Sequence, residues 1–188
     1  MATTPIGEKL LTADEFLQLC QRRLIKGELV KGIIHETVSA GGEHGEVAMA
    51  FGTAMTSYVR PHRLGRIAGS DAGVILGRDP DTVREPDIAY FSAETLPLDV
   101  KVRGYYEVVP DLVVEIVSPN DSPQYVAERV AMWLSHGVRL VWAVYPVART
   151  VAAHPSEGPA LIYTEDDELD GGAVLPDFRC AVRDILDW

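Results

Sequence analysis

The chain is poor in cysteine and in positive charge, and it lacks any long apolar run. Its two cysteines, Cys20 and Cys180, lie far apart among 188 residues and form no metal-type spacing. They read as reduced, partly buried thiols of a cytoplasmic protein, not as a disulfide framework. No stretch has the roughly 20 apolar residues that a membrane span needs. The opening MATTPIGEKLLTADEF has no apolar signal core, so no export signal is expected. No internal repeat, low-complexity block or linker breaks the chain, and residues 1–188 are expected to form one domain. Seventeen basic against 28 acidic residues leave a net charge of −11. A nucleic-acid binder usually carries a basic footprint, because phosphate contacts dominate its affinity. Such a function here needs a local basic patch, a partner or a metal to offset the charge.

What is present is globular: 47% of residues are hydrophobic and 24% charged. Thr12-Ala13-Asp14-Glu15 opens a helix with the spacing of a capping box, and Phe16, Leu17 and Leu19 give its apolar side. Gly27 to Glu36 reads as a hairpin turning near Lys31-Gly32. A long helix is expected from about Glu43 to Tyr58, with Val47, Phe51, Ala54 and Tyr58 on one face. Ile67-Ala68 and Val74–Leu76 read as short strands around Gly69-Ser70-Asp71-Ala72-Gly73. Pro86–Phe91 is another, and residues 92–106 are a loop. Leu112-Val113-Val114-Glu115-Ile116-Val117 is a β-branched run, the pattern of a strand buried on both faces. Ser118–Asp121 stops it, and a helix follows with Val126, Val130, Trp133 and Leu134 on one side and Gly137 at its end. Leu140–Tyr145 is a second buried strand, reached by a crossover. Hairpin strands near Arg149–Ala153 and Ala160–Tyr163 precede a closing segment, Leu175–Phe178, and a short helix with Ile185 and Leu186. The class is α/β.

Glu115 is the informative residue, because it interrupts an otherwise apolar strand. An ionised carboxylate taken out of water costs several kcal/mol unless it is paired or bound to a metal. Its neighbours Val114 and Ile116 offer nothing, so its partner comes from elsewhere in the fold. Asp87, at the start of a short apolar strand behind Pro86, is the natural second acid. With a backbone carbonyl such as that of Ile116, the two make a hard-oxygen site suited to Mg2+ or Mn2+. The other reading pairs Glu115 with an arginine, Arg129 or Arg103, with no chemical role.

Other residues also carry two readings. His44 begins the long helix, where a phosphate is favoured, or it simply faces solvent. Asp71 is a turn-former or a third metal acid, and Glu28 is a weaker candidate of the same kind. Arg60, His62, Arg63 and Arg66 form a phosphate-contacting patch or a solvated helix end. Trp133 and Trp142 are core residues before they are base-stacking platforms. The acidic run Glu165–Glu168 reads as a solvated loop.

The segments Pro86–Phe91, Pro110–Pro119 and Gly137–Trp142, in that order, resemble the Uma-type endonuclease family of bacteria. That family belongs to the PD-(D/E)XK restriction-endonuclease-like superfamily. The likeness runs from Gly27-Glu28-Leu29-Val30 through Glu43-His44-Gly45 to Leu169–Gly172 and Leu175-Pro176. It implies a restriction-endonuclease-like core: a curved mixed β-sheet flanked by helices, here with extra hairpins. It also implies Mg2+-dependent phosphodiester cleavage of nucleic acid, DNA first, and by superfamily analogy a homodimer. Carried over, Asp87 is the first acid and Glu115 the second, and His44 joins the site. The superfamily's lysine falls at Val117 and is missing. A lysine of the following helix stands in for it in this family, and the matching position is Arg129. Arginine stays charged and holds a phosphate or transition-state oxygen, but it is no ready proton-transfer base. Two rivals follow: a catalytically inactive nuclease-fold module that binds a protein or nucleic-acid partner, and a small-molecule phosphohydrolase.

Overall fold

The computed structural model describes residues 10–37 and 41–187; the first nine residues of the N-terminal stretch on which no export signal is read lie outside them. Helix α1 (Ala13–Gln21) starts with the expected capping box, in which Thr12 and Glu15 satisfy each other's backbone N–H groups. A second cap comes from far away: Ala13 N–H donates to Asp81 Oδ2 at 2.7 Å. Strands β1 (Gly27–Val30) and β2 (Ile33–Glu36) form the expected hairpin. Its turn holds Lys31 at φ 51° and Gly32 at φ 78°, the left-handed pair that a tight two-residue hairpin demands.

Helix α2 (Gly42–Val59) is one residue longer at each end than its periodicity indicates. Its fully buried stripe is Val47, Phe51, Met55 and Val59; Ala54 and Tyr58 flank it, half-buried. Then come β3 (Gly65–Gly69), β4 (Val74–Gly77), β5 (Thr82–Arg84), β6 (Ile88–Ser92) and β7 (Leu112–Ile116). Helix α3 (Pro123–Ser135) follows, capped by Ser122 and closed by Gly137 at φ 98°. The chain ends with β8 (Leu140–Tyr145), β9 (Thr150–Pro155), β10 (Leu161–Thr164), β11 (Glu168–Asp170), β12 (Arg179–Ala181) and α4 (Val182–Leu186).

Six strands form the central mixed sheet, in the order β10-β9-β8-β7-β6-β3. Among the described residues its only parallel pair is β7 with β8, joined through α3 as a crossover requires. Side chains of β7 alternate between two cores. Leu112, Val114 and Ile116 pack with α2, Trp142 and Phe178. Val113 packs with Val126, Val130 and Trp133 of α3. The same alternation sends Glu115 to the α3 side.

A second sheet, β2-β1-β5-β4, is antiparallel and lies under α1, with Phe16, Leu29 and Val83 in its core. The strands read around Gly69–Gly73 are real but do not belong together: β3 joins the central sheet and β4 the smaller one. The cause is β5, which folds back on β4. The acidic run is also more than a solvated loop. Glu165 pairs with Arg149, Asp166 with Arg183, and Asp167 accepts the Thr164 N–H at 2.7 Å. No helix among the described residues is long and apolar enough to cross a membrane.

Candidate active site

Asp87 stands one residue before β6, behind the buried Pro86. Its Oδ2 accepts the Ile116 N–H at 2.7 Å, which ties it to the end of β7. His44, in the first turn of α2, sets its Nε2 3.2 Å from the same oxygen. The Asp87 carboxylate therefore raises the imidazole pKa above its ordinary value, against the opposing effect of burial. Among the described residues Asp87 Oδ1 accepts no hydrogen bond.

Glu115 faces α3, where Arg129 and Trp133 lie four residues apart on one helical face. Arg129 grips the carboxylate side-on, with Nε 3.1 Å from Oε2 and a terminal nitrogen 2.7 Å from Oε1. Trp133 adds its indole N–H to Oε1 at 2.5 Å, and the guanidinium carbon sits 6.0 Å from the indole centroid. Of the two arginines named as partners for Glu115, Arg129 is the one that pairs with it. Burial pushes the Glu115 pKa up, Arg129 opposes that, and the Asp87 charge adds to the rise.

Arg129 does not stop at Glu115. Its other terminal nitrogen donates to both oxygens of Glu28, at 2.8 and 3.0 Å, and the nitrogen that binds Glu115 also reaches the Glu85 carbonyl at 3.1 Å. Glu28 is held from its far side by Arg84 at 2.5 Å and by the Glu85 N–H at 2.9 Å. Burial opposes the ionised form of Glu28, but the two guanidinium groups win and hold it below the usual carboxylate range. The result is a buried ionic chain, Arg84–Glu28–Arg129–Glu115, that crosses from the smaller sheet to the central one. Such a chain tolerates burial only because every member is paired.

These groups open onto a cleft of about 1190 Å3 that His44, Asp87, Glu115, Ile116 and Arg129 all line. The structure thus gathers the two acids, the Ile116 backbone, His44 and Arg129 in one place. Asp71 lies on the rim at φ 68°, its side chain exposed and 3.7 Å from Lys26, which is the turn-former's position. The basic cluster after α2 is not in the cleft. Arg66 spends its guanidinium on the Pro97 and Val100 carbonyls, and His62 bonds its ring to the Tyr58 carbonyl. Two participants escaped the sequence reading. Trp133 read as core, although its place one turn beyond Arg129 was the available signal. Glu85, next to Pro86-Asp87, has its pKa pushed up to about 7 by burial, with Asp71 and Glu28 adding to the rise.

The donor set can be tested against a divalent cation. No group of three or more His, Cys, Asp or Glu side chains among the described residues is placed to enclose a metal. Mg2+ does not need such a cage: it keeps several waters and takes one or two carboxylates. Asp87 Oδ1 is uncommitted and Glu115 Oε2 accepts a single N–H. The residues fit a hydrated cation held by two acids.

A mixed sheet with a helical crossover and an acid pair at the end of its central strands is a nuclease-like arrangement. A solved structure from Anabaena variabilis ATCC 29413, described as a putative nuclease, shares the fold: TM-score 0.77 at 22% identity, over 95% of this chain and 98% of that one. The model of the Uma2 family, described as "Putative restriction endonuclease", matches residues 13–183, and the chain belongs to that family. No curated protein matches it.

Proposed function

We propose that this protein hydrolyses phosphodiester bonds of nucleic acid, DNA foremost, with a divalent cation, Mg2+ or Mn2+, in the cleft. The observation that supports this most is the Asp87–Ile116 hydrogen bond, which fixes one carboxylate beside the strand that carries the other. Asp87 and Glu115, with the Ile116 carbonyl, would hold the cation. When bound, it lowers the pKa of a water and stabilises charge on a phosphoryl oxygen. His44 sits where the N-terminus of α2 favours a phosphate, with its Nε2 3.2 Å from Asp87 Oδ2. Arg129 has its N–H groups committed to Glu28, Glu115 and Glu85, so its role here is to orient Glu115 and not to reach the phosphate.

The test is cleavage of single- and double-stranded DNA and RNA with Mg2+ or Mn2+. Cutting by the wild type that falls at least ~100-fold in Asp87→Ala, the order expected when a group stabilising the transition state is lost, supports the proposal. The absence of cation-dependent cutting on every substrate contradicts it. One observation favours the non-catalytic module instead: the Arg129 fork already occupies both Glu115 oxygens. Tight nucleic-acid or protein binding with no cutting, unchanged in Asp87→Ala, is the result that reading expects.

A further inference from the structure

Glu28 lies on β1 of the smaller sheet, away from the strands that carry the acid pair, and is 5% exposed. Its carboxylate is fixed by Arg84 and the Glu85 N–H on one side and holds Arg129 on the other. Arg129 therefore stands between an anchored carboxylate and Glu115, with one edge of its guanidinium on each. Around this point three carboxylates, Glu28, Asp87 and Glu115, face two guanidinium groups, Arg84 and Arg129.

A fork of this kind does two things to a cation site. It neutralises the Glu115 charge that would attract the cation, and it occupies the oxygens that the cation needs. Glu28 opposes both effects by drawing on the same guanidinium. If Arg129 lost Glu28, its full charge would fall on Glu115. If Glu115 lost Arg129, it would face the cleft with its charge unopposed.

We infer that Glu28 and Arg129 form a built-in counter-ion that competes with a divalent cation for Glu115, and that Glu28 is a positioning residue that sets the outcome by retaining the guanidinium. This rests on the reading of Asp87 and Glu115 as a cation site. It gives the smaller sheet a task in the central cleft, since β1 supplies Glu28, and the residue just past β5 supplies the Glu85 N–H that fixes it.

The experiment measures Mn2+ affinity directly, from the free-ion electron paramagnetic resonance signal, for the full chain and for Arg129→Met, Arg129→Lys and Glu28→Gln. Circular dichroism melts check folding. Arg129→Met is expected to bind Mn2+ more tightly, on the order of a hundredfold, as one unit charge ~6 Å from a divalent cation at an effective dielectric constant of ~40 dictates. Glu28→Gln is expected to bind more weakly by a similar factor, and Arg129→Lys, which keeps the charge, to stay near wild type. Should Arg129→Met not fold, Glu28→Gln and Arg129→Lys decide. Binding by Arg129→Met but not by wild type also supports the inference, since the fork then holds the site shut. Equal affinity in wild type and folded variants overturns the counter-ion and leaves the cation site standing. No Mn2+ bound by any folded form overturns both.

Discussion

Arg129 and Glu115 show how one charge in an apolar strand propagates. The carboxylate cannot be buried alone, so a guanidinium is buried with it, and that group in turn needs Glu28. Removing one member of such a chain leaves the others uncompensated. Arg129→Met is expected to lose about 3–5 kcal/mol of stability, the cost of breaking a buried pair from one side; urea denaturation measures it, and a loss under ~1 kcal/mol would show that the chain relaxes freely. Asp81 acts at the same scale. It is buried, and it caps Ala13 and pairs with Arg78 at 3.0 Å. The Ala13 N–H and Arg78 outweigh burial and hold its carboxyl below the ordinary range. A depressed folded pKa means that the unfolded chain takes up the proton first as pH falls. The stabilisation is therefore complete above the unfolded carboxylate value near ~4 and is lost below it. The stability gap between wild type and Asp81→Asn should be widest near pH ~6–7 and close as pH drops below ~4; a gap independent of pH in urea melts would contradict this.

At the scale of elements, legibility followed the length of the local pattern. The capping box of α1, the Lys31-Gly32 hairpin, α2 and the β7–α3–β8 crossover all have signals that repeat over several residues, and all are present. Strands β5, β11 and β12 are three residues each. A run that short has no period to detect, and its partner is chosen by tertiary packing. Missing β5 also hid the division of β3 and β4 between two sheets. The candidate site was legible as far as energetics could carry it: a buried acid needs a partner. The sequence offered a metal shared with Asp87, or Arg129 or Arg103, without deciding among them, because Glu28, Arg129 and Trp133 meet only when two sheets and a helix converge. Packing at the second sheet gives a direct check. A Cβ at Gly73, just before β4, would stand 2.4 Å from the Tyr105 ring and 2.9 Å from Val83. Gly73→Ala should cost about 1–3 kcal/mol by overpacking, read as a lower Tm in differential scanning calorimetry, and an unchanged Tm would show that the ring moves aside.

For the whole molecule the governing number is the net charge of −11. The cleft shares that character: Glu28, Glu36, Asp71, Glu85, Asp87, Glu115 and Asp121 line it, against Lys26, His44 and Arg129. The basic cluster after α2 does not offset this, because it spends two of its members on backbone carbonyls outside the cleft. A polyanion entering here needs positive charge that the chain does not supply in excess, and a divalent cation between the two acids is the source that the proposed function invokes. The most direct measurement is an anomalous difference map from a crystal soaked in Mn2+. The account predicts a peak between Asp87 and Glu115, within ~2.3 Å of an oxygen of each, with the guanidinium of Arg129 drawn toward Glu28. A map with no peak there, and with Arg129 still closed on both Glu115 oxygens, would contradict it.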